Sequence, residues 1–238
     1  MQPHRIVSEH EWLAARTALL AKEKAFTKAR DRLSAERREL PWVKVEKNYV
    51  FDGPNGKVTL ADLFAGRSQL IVYHFMFAPG VPGWPSAGCP MCSFLSDHID
   101  GALPHLEHHD VSLVAVSRAP RASFEPYRKR MGWHFEWVSS NDSDFNRDYH
   151  VSFTKEDIAD GNTMYNYEAG GKTHDGEAPG ISVFYKEDDR GDIFHTYSSY
   201  ARGGDLLIGT YNYLDLMPKG RNEEGELEGW VRRHDEYE

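Results

Sequence analysis

Apolar residues recur at every seventh position from Trp12 through Leu19, Phe26 and Leu33 to Leu40, and Lys, Arg and Glu crowd the positions between them. This spacing predicts one long amphipathic helix over residues 8–40. Ser8 with Glu11 makes a capping box at its start, and Pro41 stops it. The apolar stripe calls for a covering surface, either the rest of the chain or a second copy in a homodimer. Interspersed acids cancel the field of the basic residues, which disfavours a polyanion-binding arm.

Beyond Pro41 the pattern changes. Residues 42–51 alternate as a strand, and Asp52-Gly53-Pro54-Asn55-Gly56 is a turn. Residues 59–64 read as a short helical stretch. The run 69–77 is apolar throughout, the mark of a buried strand, and 111–117 and 135–138 repeat it. Helical segments over about 90–109 and 122–131 separate these strands. Leu95, Ile99, Leu103 and Leu106 give the first of these helices its buried face. Strand–helix–strand–helix–strand in that order implies right-handed crossovers and a largely parallel core. Residues 140–178 break the rhythm. They are rich in Asp, Asn, Gly and Tyr, with one short helix after Thr154, and form a long insertion. A hairpin over 181–185 and 192–198 follows, then a helix around 204–215 and a polar tail expected to be partly disordered.

Length and composition narrow the picture. The chain has 238 residues, enough for one domain with attached extras, here divided into 1–41, 42–218 and 219–238. A formal charge of −9, spread over both halves, argues against nucleic acid or an anionic membrane as a partner. No stretch approaches the roughly 20 apolar residues that span a bilayer. The first residues carry no apolar signal core, so a cytoplasmic setting is expected. No motif calls for a bound cofactor.

Both cysteines of the chain stand together as Cys89-Pro90-Met91-Cys92, after the strand 69–77 and a Pro/Gly-rich loop. In a reducing compartment such a pair is more often redox-active or metal-binding than structural. A thiolate is the reactive form, and N–H groups at a helix start stabilise it. Cys89 would sit there as nucleophile. Pro90 suits the first helical position, and Cys92, one turn on, is within reach to resolve a mixed disulfide. A metal reading would have to recruit histidine. His105 and His109 are one turn apart but also fit the solvated face opposite Leu95 and Leu106, so no metal is assigned. His74 lies inside an apolar strand, where a hydrogen-bonded core histidine is expected. Tyr149, Tyr165, Tyr167, Tyr197 and Tyr200 either fill the core of the added segments or form a lid over the dithiol.

The strand–loop–helix corner holding this pair is where thioredoxin-type proteins carry a redox dithiol. The path over 58–199 resembles the thioredoxin/peroxiredoxin superfamily, on Thr59-Leu60-Ala61-Asp62-Leu63, Val114-Ala115-Val116-Ser117 and the run 145–151. Over nearly its whole length the chain resembles a bacterial thioredoxin-like family labelled domain of unknown function 899. The segments 36–42, 69–77, 88–94 and 194–203 carry that likeness. The resemblance implies an α/β fold with a central mixed sheet flanked by helices, an N-terminal helix extension and a long insertion before the last hairpin. Thioredoxins place a cis-proline facing the dithiol; here Gly180 takes that position and Pro179 precedes it. Their tryptophan beside the dithiol is displaced, with Trp84 nearest upstream.

Peroxiredoxins carry Pro-x-x-x-Thr/Ser-x-x-Cys, a spacing that Pro82, Ser86 and Cys89 match. The usual structural correspondence instead makes Cys92 the peroxidatic position. That family's later active-site arginine has no clear counterpart beside 181–185; Arg118, just past a core strand, either stands in for it or is an ordinary surface residue. The expected activity is thiol–disulfide exchange with a disulfide substrate and an unidentified electron donor. Peroxide reduction and a non-catalytic binding module are the alternatives.

Overall fold

The computed structural model describes residues 4–78, 87–171, 173, 176–187, 191–223 and 227–238. The chain divides into two compact units, Met1–Pro41 and Trp42–Glu238. The first is a single helix, α1 (Glu9–Arg38). Its capping box is formed: the Glu11 N–H donates to Ser8 Oγ at 3.3 Å and the Ser8 N–H donates to Glu11 Oε2 at 3.1 Å. Trp12, Leu19, Phe26 and Leu33 are each at least half exposed. Among the described residues no helix is long and apolar enough to cross a membrane.

The second unit runs β1 (Val43–Lys44), β2 (Val50–Gly53), β3 (Gly56–Thr59), β4 (Gln69–His74), α2 (Pro90–Ser96), α3 (Leu103–His108), β5 (Val111–Ser117), α4 (Arg121–Arg130) and β6 (Glu136–Ser139). It continues with α5 (Phe145–Asp148), α6 (Lys155–Ala159), β7 (Met164–Tyr165), β8 (Glu168–Ala169), β9 (Gly180–Lys186), β10 (Ile193–Tyr200) and α7 (Gly209–Leu214). One sheet has the order β1-β10-β9-β4-β5-β6-β2-β3, and β7 pairs with β8 apart from it. The pairs β4–β5 and β5–β6 are parallel, and β9 lies antiparallel to β4 with β10 antiparallel to β9. The order β10-β9-β4-β5, with helices in the crossover and the hairpin on the far side of β4, is the thioredoxin-like layout. The sheet as a whole is mixed, with a parallel centre.

Strand alternation sends side chains to two separate cores. Tyr73, Phe75 and Phe77 face Cys89, Cys92, Phe94, Tyr127 and Trp137 on one side. Leu70 and Val72 join Val114, Val116, Phe145 and Phe184 on the other. The dithiol therefore lies on an aromatic core, beyond the end of the central strand.

Several elements differ from the sequence pattern. The expected strand over 42–51 is two strands at different places in the sheet: β1 pairs with β10 at one edge, while β2 pairs with β3 and β6 near the other. The expected helix over 90–109 is two, α2 and α3. Pro104 falls within the first turn of α3, where its missing N–H costs no intrahelical bond, whereas a continuous helix would place it inside. The helix around 204–215 is a 3-10 turn over Ala201–Leu207 followed by α7. Residues 227–238, read from the sequence as tail, belong to the second unit. Val231 is buried there, and Arg130 pairs with Asp235 at 2.7 Å.

Candidate functional site

The extension of β4 keeps pairing after the strand ends. The Phe75 N–H donates to the Val116 carbonyl at 2.9 Å and the Ala119 N–H donates to the Phe77 carbonyl at 2.9 Å. The chain returns to this edge at Gly88, where a Cβ would overlap the Phe75 ring, so only glycine fits. The Cys89 N–H then donates to the Met76 carbonyl at 3.3 Å. Cys89 caps α2 and Pro90 occupies the first turn, as expected. The Cys89 carbonyl accepts from the Ser93 N–H at 2.9 Å and from Ser93 Oγ at 2.8 Å. Ser93 Oγ is also 2.6 Å from the hydroxyl of Tyr127, which anchors the corner to α4.

The ionisation of each thiol depends on the other. The Cys92 thiol holds Cys89 below the ordinary thiol range, burial opposes this, and the backbone N–H groups of Cys92 and Met91 assist it. Cys92 is pushed well above that range, first by burial and then by its proton's commitment to Cys89. The first negative charge on the pair therefore belongs to Cys89. The source of this acidity is local: α2 has seven residues, and the neighbouring thiol contributes more than either peptide N–H group. The Met76 N–H also points at Cys92 Sγ from 3.5 Å. Tyr73, on β4, shares the aromatic core and the cavity lining with Cys92, and its phenol is pushed well above the usual value by burial.

Cys89 is 5% exposed and Cys92 1%. Neither sulfur is a surface group, yet a cavity of about 260 Å³ reaches Cys92. Tyr73, Met91, Leu95, Tyr165, Ile181 and Ile208 supply most of its apolar wall. Pro179 and Gly180 line it too, so the structure brings these two predicted residues to the dithiol. Gly180 is required there, since a Cβ would stand 2.8 Å from Tyr200 Cδ1 and 3.1 Å from Val151 Cγ1. The Tyr165 hydroxyl donates to the Pro179 carbonyl at 2.8 Å and accepts from the Ala201 N–H at 2.9 Å. Tyr165 thus closes the cavity wall as well as filling the insertion.

Other predicted residues lie elsewhere. Trp84 and Ser86, with Pro82, fall outside the described residues. Arg118 does not line the cavity; its Nε donates to Glu177 Oε1 at 2.6 Å, and Glu177 is buried and also accepts from Ser152 Oγ at 2.9 Å. Arg118 serves as the counter-ion of that carboxylate. His98 binds the Phe94 carbonyl and Thr210. Among the described residues no three His, Cys, Asp or Glu side chains converge as a metal site. His74 is the buried core histidine expected, with Nε2 2.8 Å from Ser182 Oγ, on the sheet face opposite Tyr73.

Three contributors escaped the sequence reading. Tyr73 carried a signal, since it shares a strand face with Phe75 and Phe77. Glu228 and Arg233, both from the C-terminal segment, carried none. Glu228 lines the cavity, and Arg233 donates to the Gly88 carbonyl at 2.8 Å.

Over residues 1–237 the chain matches the model of a family described as bacterial proteins of unknown function, DUF899. No curated protein matches it. Among solved structures, it is similar to a cysteine-to-serine mutant of PrxQ from Xylella fastidiosa, at 13% identity and a TM-score of 0.44, covering 72% of this chain and 94% of that one. It is similar to the peroxidoxin BcpB of Mycobacterium tuberculosis at 12% identity and a TM-score of 0.43, covering 74% and 97%. It is also similar to an uncharacterised thioredoxin-like protein from Porphyromonas gingivalis at 17% identity and a TM-score of 0.42, covering 74% and 92%.

Proposed function

The chain belongs to the DUF899 family of bacterial proteins, and we propose that it is a thiol–disulfide oxidoreductase working through Cys89 and Cys92. One observation carries this reading. Two thiols stand together at the start of α2: Cys92 lines a cavity, and it holds the adjacent Cys89 thiol below its usual range. In the reaction, the Cys89 thiolate attacks one sulfur of an external disulfide. A Cys89–substrate bond forms, the substrate S–S bond breaks, and the departing thiolate takes up a proton. Cys92 then loses its proton and displaces the second substrate thiol from Cys89, closing the Cys89–Cys92 disulfide. Two electrons have passed to the substrate, and an external thiol reductant returns the pair to the dithiol. Pro179 and Gly180 shape the wall against which the substrate lies, and Pro90 sets the first turn behind Cys89.

A redox titration with reduced and oxidised dithiothreitol, read by mass spectrometry, tests the proposal. Reversible loss of two hydrogens, abolished in both Cys89→Ser and Cys92→Ser, is the expected result. A pair that stays reduced throughout the titration overturns it.

Peroxide reduction draws support from the cavity facing Cys92. Against it, the nearby cations are committed elsewhere: Arg118 to Glu177 and Arg202 to Asp205. Burial also pushes the Cys92 thiol up, which leaves little thiolate to attack a peroxide. Sulfenate forming at Cys92 faster than in free cysteine would mark that chemistry.

A further inference from the structure

The cavity beside Cys92 has a chemical character of its own. Its wall is apolar, and an apolar cavity of about 150 Å³ is enough to hold benzene; this one, at about 260 Å³, has room for an aromatic ring and its sulfur. The polar groups of its lining are mostly spoken for. Both hydrogen bonds of the Tyr165 hydroxyl are made within the protein. Arg202 Nε donates to Asp205 Oδ2 at 3.1 Å, and Arg221 approaches the same oxygen at 3.6 Å.

Glu228 is different. Glu228 lines the cavity, and among the described residues its carboxylate is held by no side-chain hydrogen bond; only the charge of Arg202 favours its ionised form. Its backbone holds φ +64°, a left-handed conformation uncommon outside glycine. The Glu228 N–H donates to Glu223 Oε1 at 3.2 Å, which brings a third carboxylate to this end of the cavity. Asp205, Glu223 and Glu228 thus face two guanidinium groups, and Arg221 is shared with Asp215 at 2.8 Å. Three carboxylates against two guanidinium groups leave net negative charge beside the cavity, and low-dielectric walls concentrate its field. In keeping with this, burial and then the charges of Asp205 and Glu223 hold the Glu228 carboxyl above its usual range, and Glu228 in turn opposes ionisation of Cys89.

We infer that this cavity selects uncharged or cationic aromatic and apolar disulfides and rejects anionic ones, with Glu228 as the residue that sets the preference. The inference rests on the oxidoreductase reading above and adds the substrate class to it.

Two aromatic disulfides of similar shape separate the cases. 4,4′-Dithiodipyridine is uncharged at neutral pH, and 5,5′-dithiobis(2-nitrobenzoate) carries two carboxylates. Single-turnover rates of the reduced protein with each are divided by the rates of free dithiothreitol in the same buffer, which removes intrinsic reactivity. The normalised ratio should favour the uncharged reagent by at least about tenfold. Glu228→Gln should bring that ratio toward one, and Arg202→Ala, at an exposed side chain, should raise it. A normalised ratio near one in the unmodified protein, or a ratio that Glu228→Gln leaves unchanged, overturns the inference while leaving the oxidoreductase reading in place. Absence of Cys89–Cys92 disulfide formation with both reagents overturns the two together.

Discussion

Arg233 donates two hydrogen bonds, at 2.8 and 3.1 Å, to the carbonyl of Gly88, the residue immediately before Cys89. The C-terminal segment thereby holds the backbone that delivers the dithiol to α2. The Arg233 side chain is 12% exposed, and Glu236 pairs with it at 3.1 Å.

Removing this clamp should loosen the corner. Arg233→Ala leaves the buried Gly88 carbonyl without its charged donors, at a cost of about 1–3 kcal/mol. Urea unfolding should report that loss. Alkylation of Cys89 under native conditions should accelerate as well. An unchanged alkylation rate would show that the clamp does not govern access to the sulfur.

Gly180 faces Tyr200 across the β9–β10 pair with no room for a side chain. Gly180→Ala should cost about 1–3 kcal/mol through overpacking against Tyr200 and Val151. Thermal unfolding checks this. A neutral substitution would mean that the Tyr200 ring moves aside freely, despite its hydroxyl's hydrogen bond to the Tyr149 carbonyl at 3.0 Å.

The acidity of Cys89 depends first on Cys92. Cys92→Ala removes the thiol donor, so the pKa of Cys89 should rise, and the midpoint of its iodoacetamide reactivity should move to higher pH. A midpoint that stays in place would assign the acidity to the peptide N–H groups of Met91 and Cys92 instead.

His74 makes stability fall in acid. Burial, and then the neighbouring His195, lowers its pKa from 6.5 to about 3. The unfolded chain therefore binds a proton that the folded chain refuses between those values. His74's contribution to stability is complete above pH 6.5 and is lost as pH falls toward 3, at up to about 1.4 kcal/mol per pH unit. Denaturant midpoints measured across this range should show the slope. His74→Gln, which can still bond Ser182 and does not titrate, should flatten it. An equal slope in the variant would place the acid sensitivity elsewhere.

Local patterns were legible before any coordinates. The capping box at Ser8, the short helix after Thr154, the strand over 111–117, the last hairpin and Pro90 after Cys89 each follow from residues within a few positions of one another. Hydrogen bonds and side-chain periodicity of that range leave direct marks in a sequence. The resemblance to known families added the mixed central sheet flanked by helices. One helical error was also local in origin: Leu95, Ile99, Leu103 and Leu106 keep a helical spacing through a turn, and only the backbone geometry around Pro104 decides that the helix divides.

The sequence by itself determined that one dithiol sits at a strand–helix junction of a thioredoxin-like sheet. Tertiary structure decided what surrounds it. Arg118 pairs with Glu177 across 59 positions, Arg233 reaches Gly88 across 145, and Glu228 lines a cavity shared by β4, α2, β7, β9, β10 and the 3-10 turn at Ala201–Leu207. Such contacts have no periodicity, because each depends on where distant backbone segments meet. Burial of both sulfurs, and the opening toward Cys92, are properties of that meeting.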